Sequence, residues 1–305
     1  MALFRKKPIS VVLVSGSPGV TIPAVLDRYN ISYVSSLLSP IDRPKMVVHR
    51  LDRGTVRAEI VGRLVDVPVG AFSTLKGLAK SDKIELLSLD DELLSVRIKT
   101  LGFDLSGPPE LVAASAGELN SEIYYWEVDV RNKVVVDVGG FIGDSALFFI
   151  SRGARKVYVS EPSRRYFEFL AKNLSSYRNI EAENIGLWSA DASSTLSGEG
   201  MSEKVGLGGR ELVELRDFST YIKGVLAREG RVGLLKIDCE GCEWEITGKI
   251  NAEVAENIEA IYLEVHGERA DELAERYCRL GYAIRTKKHV GPQISNYLLT
   301  RSHSS

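Results

Sequence analysis

Four acidic residues follow a single apolar run in the C-terminal part of the chain. The run covers residues 232–237, and after it come Asp238, Glu240, Glu243 and Glu245. Burying a carboxylate that has no partner is strongly unfavourable, so such a cluster is rarely structural filler. Open α/β sheets place their ligand sites at the carboxyl ends of their strands. The cluster therefore predicts a site at a strand end, with Asp238 and Glu240 as candidates for a general base and Glu245 on a solvated helix face.

A glycine-rich segment, Gly139-Gly140-Phe-Ile-Gly143, lies where another apolar strand should lead into a helix. Glycine permits tight turns and close approach of the backbone to a ligand, although any parallel α/β domain needs such turns. Asp137, at the end of the strand, is a more specific indicator of which cofactor is bound. A carboxylate there would repel the pyrophosphate of a dinucleotide, whereas S-adenosylmethionine carries a cationic amine and a sulfonium and has no phosphate. Asp137 therefore favours S-adenosylmethionine over NAD.

Glu161-Pro162 ends the next predicted strand. A carboxylate at this place in a nucleotide-binding unit can accept hydrogen bonds from both ribose hydroxyls. NAD and S-adenosylmethionine share that ribose, so Glu161 separates the two cofactors only in combination with Asp137. The alternative is that Glu161 only caps the helix that follows.

His266 ends a further predicted strand, residues 258–265, which is expected to run beside residues 232–237 and to place the imidazole on the same rim. Histidine ordinarily titrates near neutrality, so His266 is a third catalytic candidate, with a structural role as the alternative. Clustered carboxylates can also hold Mg²⁺, because hard cations prefer oxygen ligands. The spacing does not demand such an ion, and no metal is predicted.

The three cysteines are Cys239, Cys242 and Cys278, too few in a chain of this size for a disulfide scaffold. Cys239-Glu-Gly-Cys242 has the spacing of redox or zinc sites, but no second ligand pair completes a tetrahedral zinc site. The favoured interpretation is that they are small buried side chains.

Three segments together resemble the motifs of FkbM-type methyltransferases. They are the segment from Asp137 to Gly143, the pair Glu161-Pro162, and Lys236-Ile-Asp238-Cys-Glu240-Gly241-Cys-Glu243. The resemblance covers about residues 115–300. It implies a seven-stranded Rossmann-like sheet, S-adenosylmethionine as cofactor and, in many members, methylation of hydroxyl oxygens on sugars or natural products. Gly140 stands where alanine is usual, and cysteines replace small apolar residues at 239 and 242.

By this resemblance each part of the cofactor has candidate contacts. Asp137 and the glycines would cradle the methionine part, Glu161 would bind the ribose, and Asn184-Ile-Gly186 is placed to meet the adenine. Asn184 could instead cap a turn. The predicted cofactor-binding residues are Asp137, Gly139, Gly140, Gly143, Glu161, Pro162, Asn184, Gly186 and Asp238.

The elements that must position these residues begin beyond Gly107-Pro108-Pro109. Paired prolines forbid helix and interrupt sheet pairing, so they predict a domain boundary. Strands alternating with helices after them predict a parallel sheet covered on both faces. The chain is thus interpreted as an N-terminal α/β domain of unknown role, residues 1–106, and a methyltransferase domain, residues 107–305. Residues 282–286 and 297–300 predict a closing antiparallel pair, and the glycine- and serine-rich residues 197–209 predict a mobile loop.

The composition is that of an ordinary globular protein of 305 residues with net charge −2. Residues 1–100 carry 15 Lys and Arg against 10 Asp and Glu, and the remainder carries 24 against 31. The basic part could meet an anionic partner, although chance variation over a solvated surface is the favoured explanation. No apolar run approaches the roughly 20 residues of a membrane span, and no signal-peptide cleavage site is recognisable. A cytoplasmic protein is predicted, and a homo-oligomer is compatible with the sequence.

The favoured acceptor is a glycan or small molecule bearing a hydroxyl, and the main alternative is a tRNA methyltransferase. Residues 153–159 with Asn173 resemble archaeal RNA methyltransferases, and the basic first hundred residues could dock RNA. Against this, base amino methyltransferases usually carry Asn/Asp-Pro-Pro-Tyr/Phe after the fourth strand, where this chain has Asp238-Cys-Glu-Gly. A protein that binds cofactor only for assembly, and an NAD-dependent oxidoreductase, are the remaining alternatives.

Overall fold

A computed structural model of the chain describes residues 41–42, 45–51, 55–60, 63–78, 81–90, 92–121, 127–197, 204–206, 209, 211–267, 269–291 and 293–301. The chain divides into two compact units, Met1–Ile123 and Tyr124–Ser305. In the described residues, no helix combines the length and the apolar character that crossing a bilayer requires.

The described part of the first unit mixes antiparallel sheets with helices. Its strands are β1 (Ile41–Asp42), β2 (Lys45–Leu51), β3 (Thr55–Ile60), β4 (Arg63–Pro68), β5 (Ile84–Leu89), β6 (Leu94–Ile98) and β7 (Phe103–Gly107), and its helices are α1 (Val69–Leu78) and α2 (Pro109–Ser121). The sheets have the orders β1-β2-β3-β4 and β5-β6-β7. Alternation in β3 buries Val56, Ala58 and Ile60, as expected for a sheet with one face on a core.

The paired prolines do not interrupt the first unit. Pro109 is the first residue of α2, which packs against α1 and β6. Proline is tolerated there because the first amides of a helix have no intrahelical partner and its fixed φ suits the helix. The expectation that Pro108-Pro109 forbids helix is therefore wrong, and the first compact unit continues past it to Ile123.

The second unit is built on the predicted seven-stranded sheet. Its strands are β8 (Val134–Val138), β9 (Lys156–Ser160), β10 (Ile180–Glu183), β11 (Gly186–Trp188), β12 (Ala192–Ser197), β13 (Lys204–Gly206), β14 (Glu211–Asp217), β15 (Val232–Ile237), β16 (Ile258–His266), β17 (Tyr282–Gly291) and β18 (Ile294–Arg301). The main sheet has the order β10-β9-β8-β15-β16-β18-β17. In this sheet β18 runs opposite to the other strands and pairs antiparallel with both β16 and β17, which confirms the closing antiparallel pair.

Helices connect the parallel strands, as the alternating pattern predicts. They are α3 (Asp144–Ser151), α4 (Arg164–Leu174), α5 (Phe218–Glu229), α6 (Glu243–Lys249), α7 (Ala252–Glu256) and α8 (Ala270–Arg279). Every residue of β8 and of β15 is buried, which fits strands covered on both faces. Each fully buried aliphatic side chain contributes roughly 1.5–3 kcal/mol, so the two central strands form a rigid base for whatever follows their ends.

A second sheet, of order β11-β14-β12-β13, is inserted between β10 and α5. Leu196, Val213 and Leu215 form its small core, against which Trp188 packs. The sequence predicts a mobile loop over residues 197–209, whereas Lys204–Gly206 form β13, paired with the end of β12. The seven-stranded sheet and this insertion are the elements that surround the predicted site.

Candidate functional site

The main sheet reverses its strand order between β8 and β15, the two strands at its centre. The register pairs Asp137 with Lys236 and Val138 with Ile237, so the two strands end level with each other. From these ends the chain departs through the glycine turn, residues 139–143, and through residues 238–242, which we call the acid loop. Ligands of open α/β sheets bind in the crevice at such a switch point.

The glycine turn is packed directly against the acid loop. Gly139 has φ +84°, and a Cβ on it would overlap the backbone carbonyl of Asp238. A Cβ on Gly140 would overlap the side chain of Val159, and Gly143 also has positive φ, at +94°. Packing against the acid loop thus accounts for Gly139, packing against β9 accounts for Gly140, and positive φ favours glycine at 143, all without any ligand.

A buried lysine lies at the centre of the site. The ammonium of Lys236 is 3.1 Å from Asp137 Oδ1 and 3.4 Å from Asp238 Oδ2, and it donates a hydrogen bond to the carbonyl of Gly139 at 2.8 Å. Although burial opposes the charged form, Asp137 and Asp238 raise the pKa of Lys236 above its usual value. Lys236 is therefore a cation that connects both loops.

This pairing corrects the electrostatic argument made for Asp137. Its side chain has no exposed surface, and besides Lys236 it accepts a hydrogen bond from Ser145 Oγ at 2.6 Å. Burial raises the pKa of Asp137 although Lys236 and Ser145 oppose that rise, and enclosed with these partners the carboxyl does not present free negative charge to a cofactor. Lys236 has no assigned role in the sequence analysis, although a single lysine in a buried apolar strand is a signal that could have found it.

Glu161 connects the end of β9 to the glycine turn. Its carboxylate accepts hydrogen bonds from the backbone amides of Phe141, at 2.9 Å, and Ser163, at 2.8 Å. Ser163 directly precedes the first residue of α4. By accepting the Ser163 amide, Glu161 therefore also caps the start of that helix, which is the alternative role considered for it. The carboxylate of Glu161 is thus fixed against two backbone amides at the rim of the crevice.

Asn184 and Gly186 hold the end of β9 in place. The amide of Asn184 donates to the carbonyls of Glu161, at 2.8 Å, and Pro162, at 3.0 Å. Gly186 begins β11, and a Cβ on it would meet Leu215 and Pro162. These contacts show a bracing role, and direct contact of either residue with adenine stays a prediction.

The acid loop is closed by a disulfide between Cys239 and Cys242, whose Cα atoms are 5.6 Å apart. The interpretation of the two cysteines as unlinked small side chains is wrong. Between them lie Glu240, with φ +54°, and Gly241, with φ +127°. Asp238 is about a quarter exposed and Glu240 slightly less, so these two carboxylates do face solvent at the crevice.

His266, at the end of β16, is surrounded by carboxylates. Its Nε2 is 3.2 Å from Glu240 and 3.6 Å from Glu264, and its Nδ1 is 3.4 Å from Glu243. Burial lowers the pKa of His266, but hydrogen bonds and charge from Glu240 and Glu243 outweigh it and raise the pKa to about 10. The expectation that His266 titrates near neutrality is wrong, because it is protonated there and lacks a lone pair for a base.

Solved structures of several methyltransferases match this chain at low sequence identity. A methyltransferase from Pyrococcus furiosus is 15% identical, with 61% of this chain and 83% of that chain covered and a TM-score of 0.36. Ribosomal protein L11 methylase from Lactobacillus delbrueckii subsp. bulgaricus is 12% identical, with 65% and 81% covered and a TM-score of 0.36. Precorrin-6y C5,15-methyltransferase from Geobacter metallireducens is 13% identical, with 56% and 81% covered and a TM-score of 0.34.

No family model matches the chain, and no curated protein matches it. At these identities and TM-scores the solved structures assign neither cofactor nor substrate, and membership of the FkbM family stays a prediction. The strand order, with one antiparallel strand next to the edge strand β17, is that of a Rossmann-like, mostly parallel sheet.

The structure therefore brings three of the predicted motifs to one rim. The glycine turn, Glu161 and the acid loop meet at the switch point, and His266 lies against the acid loop. Asp238 and Glu240 are the carboxylates at this rim with partly exposed side chains. Within the described ranges, no three side chains of His, Cys, Asp or Glu are arranged to hold a metal ion.

Proposed function

We propose that the chain is an S-adenosylmethionine-dependent methyltransferase that methylates a hydroxyl group of a sugar or another small acceptor. One observation carries the proposal: the glycine turn, Glu161 and the acid loop, recognised separately in the sequence, converge where the sheet reverses its strand order. The convergence is what a cofactor crevice in this fold requires.

The residues at the crevice suit a cationic donor better than a pyrophosphate. Asp238 and Glu240 expose carboxylates there, and Asp144 lies in the first turn of α3, directly after the glycine turn. A dinucleotide places its pyrophosphate at that helix N-terminus, where Asp144 would repel it. Glu161, fixed by two backbone amides at the end of β9, is the carboxylate that we assign to the ribose hydroxyls.

The bound cofactor would supply an electrophilic methyl group, and this chain's residues would align and deprotonate the acceptor. We assign proton removal to Asp238, because His266 is already protonated and Glu240 is hydrogen-bonded to it. Lys236, 3.4 Å from Asp238, fixes the position of that carboxylate. Alignment supplies much of the rate in such a displacement, so a rigidly held base is favourable.

The choice of a hydroxyl acceptor is supported by the motif resemblance and by the carboxylates available as bases. No observation in the described residues favours an RNA acceptor, and labelling of cell-extract fractions distinguishes RNA from the hydroxyl acceptors.

Calorimetry with S-adenosylmethionine, S-adenosylhomocysteine and NAD tests the cofactor. We expect the first two to bind and NAD to give no heat. Glu161→Gln should weaken binding of S-adenosylhomocysteine by roughly 10- to 100-fold, because charge-assisted hydrogen bonds are worth about 1.5–3 kcal/mol. Glu168→Gln makes the same chemical change on the exposed face of α4 and should bind normally. Binding of NAD without any response to S-adenosylhomocysteine would refute the proposal.

Transfer of labelled methyl groups from S-adenosylmethionine to fractionated cell extract tests the acceptor. Label in glycan or small-molecule fractions that depends on Asp238 is the expected result. Label confined to RNA would show that the chain is an RNA methyltransferase instead. Label in no fraction would count against transferase activity.

A further inference from the structure

The disulfide between Cys239 and Cys242 has no part in the proposed methyl transfer, yet it lies inside the acid loop. Its Cα separation of 5.6 Å is within the range that disulfides span without backbone movement. The two cysteines directly flank Glu240 and Gly241, and Cys239 directly follows Asp238. The cross-link therefore encloses Glu240 and begins directly beside Asp238, the two exposed carboxylates of the acid loop.

The segment between the cysteines has a backbone conformation that needs support. Glu240 has φ +54°, an uncommon value for a residue with a long side chain, and Gly241 has φ +127°. Such conformations persist when surrounding structure determines them. Here the disulfide closes the turn, and the Glu240 carboxylate is 3.2 Å from His266 Nε2.

The two sulfurs differ in their access to solvent. Cys239 is partly exposed, whereas Cys242 is only 3% exposed. A thiolate from outside would therefore attack Cys239. Cys278, the free and exposed cysteine, lies on α8 and serves as an internal reference.

We propose that the Cys239–Cys242 pair is a site of thiol–disulfide exchange with a dithiol reductant, and that its oxidation state sets the conformation of the acid loop. The control of catalysis that follows from this rests on the proposed methyltransferase function. With the disulfide formed, Glu240 is held against His266 and Asp238 is held beside Lys236. With the pair reduced, the turn relaxes and the carboxylates lose these positions.

The exchange step is balanced. One thiolate of the reductant bonds to Cys239 Sγ, the bond between the two cysteines breaks, and Cys242 leaves as a thiolate that takes a proton from water. The second thiol of the reductant then displaces Cys239, which also becomes a thiol. Two electrons pass from the dithiol to the protein, and the reductant ends as a disulfide.

The first experiment measures the loop without reference to activity. The full chain is equilibrated with oxidised or reduced dithiothreitol, its thiols are counted by mass spectrometry after alkylation, and the His266 ring is titrated by NMR. We expect one thiol in the oxidised protein and three in the reduced protein. The pKa of His266 should fall by about one unit or more on reduction, because it loses the contact with Glu240. The midpoint of thermal unfolding should fall by about 4 °C or more.

Two variants make this experiment specific. Cys239→Ser with Cys242→Ser should resemble the reduced protein in both buffers, and Cys278→Ser should keep the full response. Three thiols after treatment with oxidant, or one His266 titration curve for both states, overturns the inference. If the double serine variant does not fold, the comparison of the unchanged chain in the two buffers still tests whether the acid loop responds to the oxidation state of the cysteine pair.

The second experiment separates this inference from the proposed function. Binding of S-adenosylhomocysteine and the rate of methyl transfer are measured in both redox states. We expect the oxidised form to be about tenfold or more faster, since small displacements of a catalytic group have large effects. Equal binding and equal rates in both states overturn the control of catalysis and leave the methyltransferase intact. Binding in neither state overturns the methyltransferase, while the thiol and His266 measurements still decide the exchange site.

Discussion

The ends of β8 and β15 carry acidic side chains in opposite environments. At the end of β8, Asp137 is fully buried, is paired with Lys236 and accepts a hydrogen bond from Ser145. On the β15 side, Asp238 and Glu240 are partly exposed and stand on a loop that is closed by a disulfide. The buried acid has its partners inside the protein, whereas the exposed acids can still meet a ligand.

The difference shows that equal residue types near one site need not share one task. A buried ion pair is poor evidence for net stability, but removal of one partner is strongly destabilising because it leaves an uncompensated charge. An exposed carboxylate can be neutralised at little expense in stability. Substitution of Asp137 should therefore act mainly on folding, and substitution of Asp238 mainly on chemistry.

Lys236→Met is expected to have the largest effect on stability. It leaves Asp137 buried without its cation, and the free energy of unfolding in urea should fall by about 3–5 kcal/mol. Lys223→Met, on the exposed side of α5, should change it by less than about 0.5 kcal/mol. Adding Asp137→Asn to Lys236→Met should recover part of the loss, because the buried charge is removed. A loss that the second substitution does not reduce would contradict the pairing.

Asp238→Asn should act on catalysis instead. Loss of a general base lowers the turnover number by about 10²–10³-fold, while the midpoint of urea unfolding should hardly move. Asp137→Asn should show the opposite order. It should lower the free energy of unfolding, while the turnover number of the molecules that stay folded should change little. The turnover number and the unfolding midpoint are measured for both variants. If the two variants lose stability and turnover in the same proportion, the division of tasks between the buried and exposed acids is wrong.

Gly139→Ala tests whether the two loops must be in contact. The added Cβ would overlap the carbonyl of Asp238 at a residue with φ +84°, and the resulting strain should lower the free energy of unfolding by about 2–3 kcal/mol. Gly224→Ala is the matched control, since it lies inside α5 with open space around its Cα. That control should raise stability by about 0.5–1 kcal/mol, as alanine is the better helix former. Equal effects of the two substitutions would show that the glycine turn can move.

These contrasts also explain how far the sequence could predict the molecule. The strands β8 and β15 were predictable because strands buried on both faces are rich in apolar residues. The pairing of Asp137 with Lys236 was not, since it depends on the register between two strands that are far apart in the chain. The pKa of His266 was not predictable either, because Glu240 and Glu243, which raise it, lie on a different segment of the chain.

Local composition misled in two places for a physical reason. Glycine and serine between residues 197 and 209 predict a loop, but backbone pairing with β12 overrides the weak propensity of β13. Pro109 predicts a break, yet the first turn of a helix accepts proline. Motif residues could be located by their position at strand ends, whereas their partners could be found only from tertiary contacts.

The smallest effect expected concerns His266, which joins the exposed acids to the end of β16. Its pKa is raised to about 10 in the folded protein and is about 6.5 when unfolded, so the contribution to stability is fully present below about pH 6.5 and is lost as the pH rises through 10. With its partial exposure discounted, this contribution is on the order of 2 kcal/mol. Urea unfolding of the wild type and of His266→Gln between pH 7 and pH 10.5 should therefore give a stability difference that shrinks as the pH rises. A difference for His266→Gln that does not change over this range would mean that the carboxylates do not hold the imidazolium, and that the acid loop is supported by its disulfide alone.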